Sequence, residues 1–234
     1  MSGVTIVAGK EIRQILGTKS SLLVALFFAV WFGGLSGPAI AGLGGESAAG
    51  ALDTGIFYLG LVIGVFIAYL LSGQVFLREK QEGIIATLLV TPLSLWQIWL
   101  GKVIGVAVPA YAITLVGVGV LVGVANFPGE ALLLPSAPAI LHLLVAVPLF
   151  IASAVGLLGF IQFLFGLREN QIINIIVFGA LFFLLFSMQV VFETGIAVGW
   201  GQVGATILIG GVLLGVTNYL AGFLSKEKIV RTIP

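Results

Sequence analysis

Cysteine is absent from this 234-residue chain, and histidine occurs only once. The first absence excludes disulfide bonds and thiolate metal sites, and a single histidine argues against a zinc site of the usual kind. Charged residues are also scarce, at 8% of the chain against about 25% in a soluble domain. With 60% hydrophobic residues and 33 glycines, the composition is typical of an integral membrane protein.

Motifs for ATP or peptide hydrolysis are missing as well. The two Gly-Lys pairs, at 9–10 and 101–102, lack the upstream glycine and the following Ser or Thr of a P-loop. Asp53 is the only aspartate, which excludes an aspartate pair, and no Gly-x-Ser-x-Gly elbow accompanies His142. We therefore predict that the chain is not an enzyme and holds no cofactor or metal. The net charge of +1 does not indicate a nucleic-acid partner.

Long apolar runs predict an all-α membrane protein with six transmembrane helices, because about 20 apolar residues cross a bilayer as a helix. The predicted spans are 21–43, 55–77, 96–125, 137–166, 172–192 and 200–224. Pro109 and Pro148 fall inside the third and fourth spans and are expected to bend them. No linker or repeat divides the chain, so we predict one transmembrane domain over residues 1–234.

Residues 4–18 precede the first span and predict an amphipathic helix that lies in the membrane surface. Its expected apolar face consists of Val4, Ala8, Ile12, Ile15 and Leu16. The opposite face is polar and includes Lys10 and Glu11. The alternative is a polar leader that only frames the first span.

The charges predict the orientation of the chain in the membrane. With six spans, all ten Lys and Arg residues fall on one side. The acidic residues of the other side are Glu46, Asp53, Glu130 and Glu193. The positive-inside rule then places both termini and residues 78–94 in the cytoplasm of a multi-pass protein of the plasma or inner membrane.

The longest charged interruption is residues 78–94, which read R-E-K-Q-E-G-I-I-A-T-L-L-V-T-P-L-S. Helical spacing over 79–90 predicts one apolar face with Ile84, Ile85, Leu88 and Leu89. It predicts an opposite, small or polar face with Glu79, Gly83, Ala86 and Thr87. Pro92 ends the helix, since the residue before a proline avoids helical geometry. A short helix with two such faces is typical of a docking element.

Few ionisable side chains fall in or near the spans. Glu193 is a candidate for an outer gate, with an ordinary solvated loop carboxylate as the alternative. His142 is interpreted as an interfacial side chain that faces water, although a substrate or proton contact is the other reading. Lys102, one turn into the third span, is expected to extend its ammonium back to the membrane surface.

Glycines also recur at four-residue spacing, which lets helix backbones approach closely in lipid. The pairs are Gly33/Gly37, Gly60/Gly64, Gly101/Gly105, Gly119/Gly123 and Gly211/Gly215. In a chain so rich in glycine, we interpret them as general packing positions rather than as a code for dimerisation.

Residues 78–94 and the start of the third span resemble the signature of type 2 ABC transporter permeases, the membrane halves of ATP-driven exporters. That signature has an acidic cluster, then Gly-Thr-Leu-Glu-x-Leu-Leu-x-x-Pro-Leu-Ser, then an Ile and a Gly-Lys pair. The matching residues are Arg78-Glu79, Glu82-Gly83, Leu88-Leu89, Thr91-Pro92-Leu93-Ser94, Ile98 and Gly101-Lys102. Ile84 and Ala86 depart from the signature, which has Thr and Glu there.

The resemblance implies that two permease chains pair, as a homodimer or with a homologous permease. It also implies that each binds a cytoplasmic ABC ATPase subunit, which binds the ATP, through a coupling helix at 79–90. The residues expected to carry this coupling are Arg78, Glu79, Glu82, Gly83, Ala86, Thr87 and Pro92. Residues 186–201 are expected to form short re-entrant helices, as the resemblance further implies.

Two other functions share the predicted topology. One is a membrane anchor or assembly subunit that transports nothing and would not stimulate a partner ATPase. The other is a secondary transporter driven by an ion gradient, which the sparse charge in the spans disfavours.

Overall fold

The computed structural model describes residues 2–43, 45–127, 132–187 and 198–230, and every regular element within these ranges is a helix. Six of the described helices are long and apolar enough to span a membrane, which confirms the predicted fold class. The first to sixth spans are Lys19–Ala41, Glu46–Gln81, Leu95–Ala125, Ala137–Leu164, Leu167–Phe186 and Trp200–Ala221. Three shorter helices among the described residues are Gly3–Gly17, Ile84–Leu89 and Lys226–Val230.

The second span is longer than predicted at both ends, since 55–77 was the expected range and the helix covers Glu46–Gln81. Glu46 lies in the first turn of the helix, where a negative charge is favoured. The Asp53 carboxylate is also satisfied, because its Oδ1 accepts a hydrogen bond of 2.9 Å from the backbone N–H of Ser136. Glu46 and Asp53, which the predicted bounds placed in the link before the second span, therefore belong to its helix.

At its other end the second span runs on through charged residues without a break. Buried residues recur there in pairs every four positions: Ile67-Ala68, Leu71-Ser72, Val75-Phe76 and Glu79-Lys80. An α-helix of 3.6 residues per turn would rotate the last pair about 120° away from the first. A π-helical turn over Gly73–Leu77 takes up most of this rotation and keeps the pairs on one face.

The fourth span also contains a π-helical turn, over His142–Ala146. Pro148 follows directly, and its ring has no N–H to donate to the carbonyl four residues earlier. The wider turn accommodates the proline within one continuous span.

The third span occupies the centre of the fold and packs against the N-terminal helix and the first, second and fourth spans. Trp99 is buried there, and its indole Nε1–H donates to the carbonyl oxygen of Gly156 in the fourth span at 3.2 Å. The fifth and sixth spans lie at the periphery and are mostly exposed. The core therefore lies between the first four spans.

Three of the five predicted glycine pairs lie at close helix contacts, and two do not. Gly33 and Gly37 face the third span, Gly60 and Gly64 face the fourth, and Gly101 and Gly105 face the N-terminal helix. A Cβ atom on any glycine of the other two pairs would meet nothing within 4 Å. The sequence pattern found the closest contacts but could not separate them from glycines on the outer surface.

Gly33 provides a test of the contact between the first and third spans. A Cβ atom there would meet the carbonyl oxygen of Gly117, and its next neighbours are also backbone atoms. At Gly34 the nearest atom would be Val120 Cγ1 at 3.9 Å, an ordinary contact. We expect Gly33→Ala to lower the melting temperature of the purified chain by roughly 3–10 °C, because overpacking costs about 1–3 kcal/mol. Gly34→Ala should leave it nearly unchanged, and equal effects would contradict the contact.

Candidate functional site

The charged side chains that pack inside the protein gather at one end of the bundle. The second and fourth spans end there and the third and fifth begin, as the contacts of Lys10, Lys80 and Lys102 show. We call this end the basic end. The links 82–94 and 165–166 connect successive spans at this end.

Four residues at the basic end form what we call the ion cluster: Lys10, Glu11, Glu79 and Lys102. The Lys102 ammonium lies 2.9 Å from Glu11 Oε1 and 2.5 Å from Glu79 Oε2. The Lys10 ammonium lies 2.6 Å from Glu79 Oε1 and 3.3 Å from Glu11 Oε1. The ion cluster therefore joins the N-terminal helix, the end of the second span and the start of the third.

Three of the four side chains are almost completely removed from solvent. Glu11 and Lys102 are 0% exposed and Glu79 is 1% exposed, whereas the side chain of Lys10 is 45% exposed. Two positive and two negative charges balance within the cluster, which a buried ion pair requires to offset its desolvation. The Lys102 ammonium also lies 5.6 Å from the centre of the Phe76 ring.

Small residues on the third span seat the N-terminal helix closely enough for these contacts. A Cβ atom on Gly101 would collide with Val7, and one on Gly105 would collide with the Cβ atom of Glu11. Gly101 and Gly105 share one helix face, since positions i and i+4 are neighbours, and Lys102 borders that face. The two glycines bring the helices together, and the lysine between them meets Glu11.

The ion cluster also changes the titration of Lys10, which lies outside the spans. Burial alone lowers the pKa of Lys10, but the hydrogen bond to Glu79 and the charge of Glu11 outweigh it, so the pKa is raised. A raised pKa in the folded state adds stability at neutral pH that is lost only as pH rises through that raised value. Lys10 is therefore a charged member of the cluster under physiological conditions.

Three expectations from the sequence are wrong at this site. Lys102 does not extend to the surface but is buried between two carboxylates. Glu79 does not lie on an outward docking face, because the π-helical turn directs it inward. The N-terminal helix buries Val7, Ala8, Glu11 and Ile15, whereas Ile6 and Leu16 are exposed. Glu11 faces inward because its partner Lys102 lies there, whereas Ile6 and Leu16 face outward.

The link between the second and third spans is not the single helix predicted over 79–90. The second span ends at Gln81, and Gly83 adopts a left-handed conformation with φ of 71°. A separate short helix then covers Ile84–Leu89. A residue other than glycine in this conformation is strained, so Gly83 sets the sharp turn between the two helices.

The other predicted coupling residues lie along this link. Arg78 and Glu82 form an exposed salt bridge of 2.7 Å, and Thr87 and Pro92 are exposed. Ala86 is part of the short helix. The link ends at Ser94, which accepts from the N–H of Gln97 and donates its own N–H to the Gln97 side chain. This capping box fixes the entry into the third span.

The link has one buried side and one exposed side. Ile85 is buried, whereas Ile84 and Val90 are exposed, and Val90 is the most exposed large apolar residue described. The prediction that Ile84 and Ile85 share one environment is therefore wrong, because consecutive residues of a helix are about 100° apart and only Ile85 faces inward.

Two other residues singled out in the sequence have different outcomes. Glu193, the candidate outer gate, lies outside the described residues, as do positions 188–197 of the segment expected to be re-entrant. His142 is fully buried, which contradicts the expected water-facing position. Its ring stacks on Phe57 at 4.1 Å, and its Nδ1 lies 3.2 Å from the hydroxyl of Thr206.

The burial of Glu79 provides a test with a matched control three residues away. Glu79→Gln removes one charge from the ion cluster and leaves buried lysine charge less well paired, which costs about 3–5 kcal/mol. Glu82→Gln makes the same chemical change in an exposed i,i+4 pair, which contributes about 0.3–0.5 kcal/mol. We expect thermal melting in detergent to show a large loss for the first and little for the second. Equal losses would show that Glu79 is not buried in a cluster.

Comparison with known proteins identifies the family of the chain. A family model described as ABC-2 type transporter matches residues 3–134, which is more than half of the chain. No curated protein matches the chain. The matched residues include the N-terminal helix, the first three spans and the whole ion cluster. The chain therefore belongs to the ABC-2 type transporter family and is a multi-pass permease of that family.

Proposed function

We propose that this chain is the transmembrane subunit of an ATP-driven exporter and forms the path for cargo across the membrane. The observation that carries this proposal is the link 82–94, which has an exposed side at the basic end and directly follows the helix that enters the ion cluster. The ABC-2 family implies an ATPase partner. In this proposal a separate cytoplasmic ATPase subunit binds and hydrolyses the ATP, and this chain is not an enzyme.

The basic end faces the cytoplasm in this proposal, and both termini lie there. The positive-inside rule supports this orientation, because the Lys and Arg residues of the sequence fall on that side of the six spans. The exposed Ile6 and Leu16 of the N-terminal helix suit the boundary between lipid and water. That helix lies in the membrane surface while its other side packs on the third span.

The docking surface for the ATPase consists of the exposed side of the link, with Thr87, Val90 and Pro92. Its shape is set at one end by the turn at Gly83 and at the other by the capping box at Ser94. Glu79 acts from inside as a positioning residue rather than as a contact of the ATPase. The Arg78–Glu82 salt bridge borders the same surface.

Coupling follows from a shift between conformations. ATP closes the ATPase subunits, and the movement of the docked link displaces the end of the second span. The ion cluster passes this displacement to the N-terminal helix and the third span, because separating its buried charges is costly. ATP shifts the equilibrium only by its differential affinity for the two conformations.

The working unit contains two permease chains, either a homodimer or a pair with a homologous permease. Large apolar side chains are exposed along the first and fifth spans, among them Phe27, Trp31, Ile175 and Phe183. Such surfaces suit lipid or a second permease, and pairing would let two ATPase subunits close on each other.

Val90→Glu tests docking, with Leu132→Glu as its control at the opposite end of the bundle. Val90 is 83% exposed and Leu132 is 74% exposed, so neither change should affect folding. We expect Val90→Glu to reduce, at least tenfold, the ATP hydrolysis that co-purifies with the tagged chain expressed in its own cell. Leu132→Glu should retain it.

The same preparation separates the alternatives. If neither variant changes the co-purified hydrolysis, the link is not the docking surface. If the unmodified chain carries no ATPase, the function is that of an anchor or a secondary transporter. A further test uses purified ATPase and membrane vesicles that contain the chain. The ATPase should bind inside-out vesicles but not right-side-out vesicles, because only the former expose the cytoplasmic face.

A further inference from the structure

Lys80 follows Glu79 in the sequence but does not take part in the ion cluster. It is fully buried, and its ammonium donates to the backbone carbonyl oxygens of Gln162 and Phe163 at 3.2 Å and of Phe165 at 2.6 Å. These carbonyls form the last turn of the fourth span and the residue that ends it. Lys80 thus joins the second span to the fourth.

The chemistry of this contact suits a buried lysine. The last carbonyls of a helix have no partner within the helix and carry a partial negative charge, which a cation stabilises. Asn170, in the first turn of the fifth span, donates to the carbonyl oxygens of Gln162 and Phe165 as well. The second, fourth and fifth spans therefore meet at the end of the fourth.

Glu79 and Lys80 both lie on the inner face of the second span, but they contact different neighbours because consecutive residues of a helix are about 100° apart. Glu79 reaches the N-terminal helix and the third span, whereas Lys80 reaches the fourth. The π-helical turn at Gly73–Leu77 is what places both on the inner face. The acceptors of Lys80 lie beyond residues 3–134, the part of the chain that the family model covers.

We propose that Lys80 is a positioning residue that passes the movement of the link to the fourth span, in parallel with the ion cluster, which passes it to the third. This inference rests on the proposed function, since it needs a link that moves. Glu79 passes the displacement of the link to the third span, and Lys80 passes it to the fourth. Loss of Lys80 uncouples the fourth span and leaves the third span coupled.

The test uses single cysteines, because the chain has none of its own. Three positions receive a fluorescent bimane label, one at a time: Gln81 at the end of the second span beside the link, Val108 in the third span and Leu157 in the fourth. All three are exposed, and the last two lie within spans, away from the docking surface. Emission is recorded from the complex with the ATPase before and after trapping with ATP and vanadate.

In the parent complex we expect all three labels to respond to trapping. Lys80→Met keeps the aliphatic chain but removes the donors, and should reduce the response at Leu157 at least threefold while the other two persist. Lys80→Arg should restore it. Lys80→Gln serves as a second uncharged variant if Lys80→Met does not fold.

Asn170→Ala is the matched structural control, because it removes donors to the same carbonyls without breaking the connection to the second span. It should lower the melting temperature and keep the Leu157 response. An unchanged Leu157 response in Lys80→Met overturns the role of Lys80. A silent Gln81 label in the parent complex instead overturns the proposed function, and this inference falls with it.

Discussion

The structure depends on the neutralisation of charge in a place that water does not reach. Glu11, Glu79 and Lys102 are buried at the basic end, and each is tolerated there only because the others are within hydrogen-bond distance. Moving any one of them away would expose an unpaired charge to an apolar interior. This constraint ties three helices together at one point, in addition to the van der Waals packing that holds helices together in lipid.

A joint of this kind suits the proposed role of a permease that is driven by a separate ATPase. The link is exposed and short, and on its own it could move without effect on the spans. The buried charges of Glu79 and Lys80 continue from it into the bundle and reach both the third and the fourth spans. In the proposed mechanism, a displacement of the link reaches the third and fourth spans through these two residues.

Much of the fold could be predicted from the sequence, because the bilayer imposes a length and a composition on each span. The number of spans, the N-terminal helix and the end of the short helix before Pro92 follow from such rules. The inward direction of Glu79 does not, since a π-helical turn leaves no signal in helical periodicity. The buried pairs that recur every four residues from Ile67 to Lys80 reveal the turn only once the structure is known. The burial of His142 and Lys102 depends on partners distant in sequence, which no local pattern shows.

The most direct measurement of the central claim is a double-mutant cycle on the ATPase activity of the purified complex. It compares Glu79→Gln, Lys102→Met and the variant that carries both. Because both residues act through one ion cluster, the account predicts that the double variant loses no more activity than the more impaired single variant. Losses that multiply would contradict it, since they would mean that Glu79 and Lys102 act on the ATPase independently.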